Sequence, residues 1–370
     1  MADSVHASQV LDALRPIIDP DFRKSIVDLG FIKDLRIDGG QVSFAIELTT
    51  PACPVKSEFE RAARERVSAL EGVEGVDVTM TSNTRQAARS GPGGQDAAVL
   101  PGVKNVIAVA SGKGGVGKST TAVNLALSLR DQGAAVGLLD ADVYGPSLSL
   151  LMGIHVRPDT TPDRKIMPVL GQGLKLMSMA FFMTDDSPVI WRGPMVHGLI
   201  KQFLTDVKWG ELDYLIVDMP PGTGDAALTL TQMAPLSGAV IVTTANDLSL
   251  IDARKGLQMF EKVGVPILGI IENMAYFTPP DLPDRKYYIF GQGGGERVAG
   301  ELGVDFLGEV PIDPRIAEEG DQGRAIVSSQ PDSPVSIALR QISGDIVRKL
   351  ARLAAQAPPI ADANITWVSS

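Results

Sequence analysis

Residues 110–120 read Ala110-Ser111-Gly112-Lys113-Gly114-Gly115-Val116-Gly117-Lys118-Ser119-Thr120. Gly112 to Ser119 satisfies the phosphate-loop pattern G-x-x-x-x-G-K-S/T, and a second lysine, Lys113, follows the first glycine. Glycines 112, 114, 115 and 117, with Val116 among them, let backbone N–H groups close on the oxygens of a di- or triphosphate. Lys118 is placed to reach the β and γ oxygens, and the Ser119 hydroxyl to ligate Mg²⁺, with Thr120 beside it. The framing supports this. The apolar run 106–110 precedes the loop as a buried strand, and 121–130 follows with helical periodicity. Bound phosphates would therefore lie at a helix N-terminus. These residues predict a nucleotide site.

The chain around that site has 370 residues, of which 44% are hydrophobic, enough for two domains with a substantial core. A formal net charge of −10 argues against a general nucleic-acid binder, whose phosphate contacts need a basic face. No stretch approaches the roughly eighteen consecutive apolar residues of a membrane span. Residues 1–6 lack the basic and apolar regions of a signal peptide. The single cysteine, Cys53, leaves no internal disulfide framework and suits a reducing cytoplasm. His6, His155 and His197 offer no zinc spacing. The expectation is a cytoplasmic protein that binds neither nucleic acid nor membrane.

Composition divides the chain. Residues 84–104 are rich in Gly, Ser and polar side chains and read as a flexible linker. Ahead of them, residues 1–83 read as a small α+β domain, with helices over 7–17 and 57–70 and strands over 42–49 and 76–80. Behind them, residues 105–356 alternate apolar strands with amphipathic helices, and 357–370 form a tail. Strands are expected at 106–110, 136–140, 174–177, 214–218, 239–243, 267–272 and 306–310. The fold class is α/β, a doubly wound, mostly parallel sheet of the P-loop NTPase type. Ligands then sit at the C-terminal ends of the strands.

Acids gather at those ends. The second strand closes on Asp140-Ala141-Asp142 and the fourth on Asp218, followed by Met219-Pro220-Pro221-Gly222-Thr223-Gly224-Asp225. An aspartate ending an apolar strand beside Ser119 and Mg²⁺ holds the metal, and Asp218 takes that role through a metal-bound water. Asp142 would orient or deprotonate the attacking water. Each such acid also suits a plain turn cap.

Here a family resemblance becomes specific. Residues 113–119 resemble the deviant phosphate loop of the MinD/ParA/nitrogenase-iron-protein ATPases, and the chain is more similar still to the Mrp/ApbC subfamily. That similarity rests on Asp140-Ala141-Asp142-Val143-Tyr144-Gly145-Pro146-Ser147, Trp191-Arg192-Gly193-Pro194-Met195, Asp218 to Asp225 and Glu272-Asn273-Met274. It spans nearly all of residues 100–350. The front unit looks like the small domain of iron–sulfur assembly factors, around Thr49-Thr50-Pro51-Ala52-Cys53-Pro54. The resemblance implies a homodimeric, Mg²⁺-dependent ATPase that carries iron–sulfur clusters and works with assembly proteins and apoprotein clients. It implies that Lys113 reaches across the dimer to the partner's nucleotide, that Asn273 contacts the adenine edge, and that Pro311 lies against the base.

The chain departs from that family where members carry a Cys-x-x-Cys pair; residues 275–288 hold no cysteine. A 4Fe–4S cluster takes four thiolates, while two copies of this chain offer two. Cys53 stands in a strand-to-helix turn, where a helix N-terminus would favour the thiolate of a cluster ligand or transfer thiol; the other reading is a structural cysteine. Methionines 167, 177, 179, 183 and 195 read mainly as core fillers, and 336–355 as a helix packed on the sheet. The alternative function is a MinD/ParA-like positioning or partitioning ATPase, and the front domain discriminates against it.

Overall fold

A computed structural model of the chain describes residues 5–53, 55–84, 86–87, 99–183 and 193–356. The front unit holds α1 (Ala7–Leu14), a short hairpin of β1 (Ile18–Asp19) and β2 (Lys24–Ser25), then β3 (Ile32–Asp38), β4 (Gln41–Leu48), α2 (Lys56–Ser68) and β5 (Gly75–Ser82). β4 is the central strand, antiparallel to β3 and parallel to β5, so α2 is the crossover between parallel neighbours. Phe59, Ala63 and Val67, at helical spacing on α2, bury against Phe44, Ile46 and Val78. β3 was not anticipated: Lys33, Asp34, Arg36 and Asp38 interrupt its apolar alternation because its face is largely in water.

The second unit contains β6 (Val103–Ala110), α3 (Lys118–Asp131), β7 (Val136–Asp140), α4 (Leu148–Met152), β8 (Val169–Gly171), β9 (Leu174–Ser178), α5 (Gly193–Thr205), β10 (Leu212–Asp218), α6 (Asp225–Met233), β11 (Gly238–Thr243) and α7 (Asp247–Lys262). β12 (Ile267–Phe277), α8 (Gly294–Leu302), β13 (Phe306–Ile312), α9 (Arg315–Asp321), α10 (Ile326–Ser329) and α11 (Pro334–Gln356) complete it. The sheet runs β13-β12-β11-β6-β10-β7-β9-β8, and the seven expected strands are its parallel members. β8, unexpected, pairs antiparallel at the edge. Helices α3 and α11 cover one face and α5, α6, α7 and α8 the other, each over its own apolar layer. Later strands are added on both sides of β6, which puts the phosphate loop at the switch point of the strand order.

The two units meet at the end of the sheet opposite that loop. Thr50 and Tyr214 share a buried hydroxyl–hydroxyl bond of 2.8 Å, and Ala52 is buried in the apolar layer under α3. Asp21 lies 3.8 Å from Arg348 of α11. The 84–104 segment is described only at its ends, where Ala87 and Leu100 are buried and the Ala87 N–H donates to Asn105 Oδ1. β6 already begins at Val103, inside the span read as linker. The tail 357–370, Trp191 and Arg192 lie outside the described residues.

Candidate nucleotide site

The phosphate loop is shaped by what crowds it. A Cβ on Gly112 would lie 2.1 Å from the Asp252 backbone of α7, so only glycine lets that helix approach. Gly117 caps α3 at φ +82°, and a Cβ there would meet Asn273 Nδ2 at 2.2 Å. Asn273, within β12, donates from Nδ2 to the Val116 carbonyl at 2.8 Å. Its amide therefore braces the loop, a role the sequence did not suggest; the predicted adenine contact would fall to its oxygen or its second N–H. The Gly222 N–H donates to the Ser111 carbonyl and ties the Asp218-to-Asp225 segment to the loop.

Lys118 and Asp218 stand 100 positions apart in sequence and form a buried ion pair, with Nζ 2.5 Å from Oδ1. Nζ also lies 3.3 Å from Ser119 Oγ. Burial pushes the Asp218 carboxyl above the ordinary range, and the Lys118 ammonium pulls against that shift. The lysine is thus paired with the acid expected to serve the metal. Among the described residues no group of three or more His, Cys, Asp or Glu side chains is placed to hold a metal. Ser119 and Asp218 fit Mg²⁺, a hard ion that completes its shell with waters and phosphate oxygens.

Asp142 is half-buried, and its Oδ1 accepts the Gly145 N–H at 3.2 Å, closing the turn after β7. Asp140, read from sequence only as a strand-end acid suited to a plain turn cap, is the organiser of that turn. Its carboxylate accepts N–H groups from Asp142, Ser147 and Leu148 and the Ser178 hydroxyl, at 2.9–3.2 Å. Burial first, then the nearby Asp218 charge, lifts its carboxyl to about 7. The available signal was its spacing from Ser147, where α4 starts. Lys113 is half-buried, and its carbonyl accepts from the Ser111 hydroxyl.

Beside the loop lies a cavity of about 430 Å³ whose walls include Gly117, Thr120, Thr121, Asn273, Met274, Phe290 and Pro311. Asn273 and Pro311 are thus brought together with Thr120 as expected. Met274 lines the same cavity because it adopts φ +54°, which breaks the alternation of β12 and sends consecutive side chains to one side.

Residues 102–347 match the family described as NUBPL iron-transfer P-loop NTPase. The chain belongs to this family. Residues 7–79 match a second family, described as iron-sulfur cluster assembly protein. A relative named iron-sulfur cluster carrier protein, from Synechocystis sp., is 52% identical over 349 residues, 93% of this chain and 98% of its own length. The Fe-S cluster assembly factor HCF101, chloroplastic, of Arabidopsis thaliana is 48% identical over 94% of this chain, which spans 64% of that protein. Among solved structures, a nucleotide-binding protein of Archaeoglobus fulgidus in complex with ADP is 40% identical, with a TM-score of 0.56. It aligns over 64% of this chain and 92% of its own.

In this family member Cys53 lies far from the nucleotide site. Its loop meets the sheet beside Tyr214, four residues before Asp218 on β10, or about 13 Å along the strand. The expectation of a favoured thiolate is overturned. α2 starts three residues later, and burial outweighs the Val55 backbone contact, pushing the Cys53 thiol up to about 11. The methionines also divide: Met177 is buried in this chain's core, whereas Met167, Met183 and Met195 are exposed on its surface, which leaves a dimer core or a partner surface as their reading. α11 packs on the sheet through Leu339, Ile342, Ile346 and Leu350, as expected. No helix of the described residues is long and apolar enough to cross a membrane.

Proposed function

We propose that the chain binds ATP with Mg²⁺ at the phosphate loop, hydrolyses it as a homodimer, and carries or assembles iron–sulfur clusters for apoprotein clients in the cytoplasm. The observation that carries this reading is the coincidence of two matches on one chain, a front unit of assembly type and a phosphate-loop unit of iron-transfer type. A positioning or partitioning ATPase would explain the loop but not the front unit.

Phosphoryl transfer needs positioning and charge neutralisation more than covalent chemistry. Incoming phosphates would draw Lys118 off Asp218 onto the β and γ oxygens, freeing that carboxylate. Ser119 and, through a water, Asp218 would hold Mg²⁺, which neutralises charge on the phosphate oxygens. Asp142, fixed by the turn that Asp140 organises, orients the attacking water. Lys113, whose ammonium makes no ion pair among the described residues, supplies the cationic group to the partner subunit's nucleotide.

The cargo cluster is a substrate rather than a resident group. Two copies of Cys53 do not complete four thiolates, so client or assembly proteins would supply the rest. Anaerobic reconstitution followed by transfer to an apoprotein, with and without ATP, tests the reading. It fails if the chain takes up no iron and transfers none, and co-sediments with liposomes or DNA when ATP is present.

A further inference from the structure

The segment between β12 and α8, residues 278–293, sends one side chain into the nucleotide cavity. Phe290 stands at its mouth, 42% exposed, while Asn273, Thr121 and Pro311 form walls built on β12, α3 and β13. The near half of the segment is anchored. Phe277 and Tyr287 exchange backbone hydrogen bonds of 2.9 and 2.8 Å, the Tyr276 and Tyr288 rings meet edge to face at 6.2 Å, and Lys286 Nζ lies 3.8 Å from the Tyr276 centroid. The far end is anchored too, because the Gly295 N–H donates to buried Glu272 at 2.6 Å. Between these anchors Phe290 is followed by Gly291 at φ +101° and Gly293 at φ +64°, backbone that glycine adopts without strain.

An aromatic ring at the rim of a purine-sized cavity, on a short span between two fixed points, has one efficient use. Stacking on a base removes two apolar faces from water and suits any purine face. We propose that Phe290 closes on the purine ring of the bound nucleotide, so that base occupancy fixes the 278–293 segment. The proposal rests on the nucleotide-binding reading above and adds a binding residue to it. One consequence is that the placement of Leu282, Tyr287 and Ile289, each exposed on the same segment, follows the base rather than the phosphate count. ATP and ADP then set the segment alike, and a bare polyphosphate leaves it free.

The test measures calorimetric affinity for ADP and for inorganic tripolyphosphate, with hydrogen exchange over 278–293, in the full chain. Phe290→Ala is expected to weaken ADP about tenfold and leave tripolyphosphate unchanged. Phe290→Trp retains tight ADP binding. ADP slows exchange across the segment in the wild type and not in Phe290→Ala. ADP affinity unchanged in Phe290→Ala, equal losses for both ligands, or no protection by ADP would each overturn the role. A wild-type chain that binds neither ligand overturns the nucleotide reading itself.

Discussion

Cys53, packed against the front unit's core in the turn that seats Ala52 in the second unit, offers the sharpest quantitative check on that turn. Its thiol is pushed to about 11 from an ordinary value of 9.0, chiefly by burial. At pH 8 the thiolate fraction falls from about one-tenth to about one-thousandth, roughly 100-fold. A more basic thiolate is a better nucleophile, with a Brønsted slope near 0.4–0.5, which returns about tenfold. Exchange with an aromatic disulfide reagent should therefore run roughly tenfold slower than for a free thiol at pH 8. The pH profile is more decisive: the rate should keep climbing about tenfold per pH unit past pH 9, toward 11. Unseating the loop should abolish this. Ala52→Glu places a carboxylate where Ala52 is fully buried in the second unit's core, and its rate should level off near pH 9. The sign of the stability effect follows. Between 9 and 11 the folded chain holds a proton that the unfolded chain has released, so stability present below pH 9 declines as pH rises through 11. A wild-type rate that plateaus at or below pH 9 would refute burial of this thiol against the front unit's core.

Lys118→Met should abolish nucleotide binding and destabilise the unliganded chain by about 3 kcal/mol, because it strands a buried Asp218; chemical denaturation reads this. Adding Asp218→Leu should recover most of that stability without restoring binding, since an apolar pair replaces an ion pair at little cost. Lys113→Ala should retain ATP affinity by calorimetry and lose about 10³ in turnover if the cationic group acts across the dimer; unchanged turnover removes that role. Gly117→Ala should lose nucleotide binding, because its Cβ collides with Asn273 and strains a left-handed residue.

The parallel strands and the loop were readable because each is a contiguous signal. Seven Val/Ile/Leu runs remain apolar whichever neighbour they pair with, so burial on both faces marks them directly. β3 escaped because a half-solvated strand carries charges at the positions that would show alternation, and β8 because three residues, Val169 to Gly171, are too few to show a period. Asp142 and Asp218 were legible as strand-end acids near a phosphate loop. Asp140 was legible as a turn cap, but not as the centre of four hydrogen bonds, since Ser147, Leu148 and Ser178 converge on it only when β7, α4 and β9 pack together.

What the amino-acid order settles unaided is the strand–loop–helix that cradles phosphate, the alternation that makes the sheet parallel, and the split into two units. Each depends on residues within about a dozen positions of one another. Packing alone settles the rest. It parks Lys118 on an acid 100 positions away and seats Thr50 on Tyr214, 164 positions away. It also turns a cysteine expected to be a thiolate into one that keeps its proton. The physical reason is desolvation: a carboxylate, an ammonium or a thiol takes its charge state from whatever excludes water around it, and that neighbour is chosen by the fold.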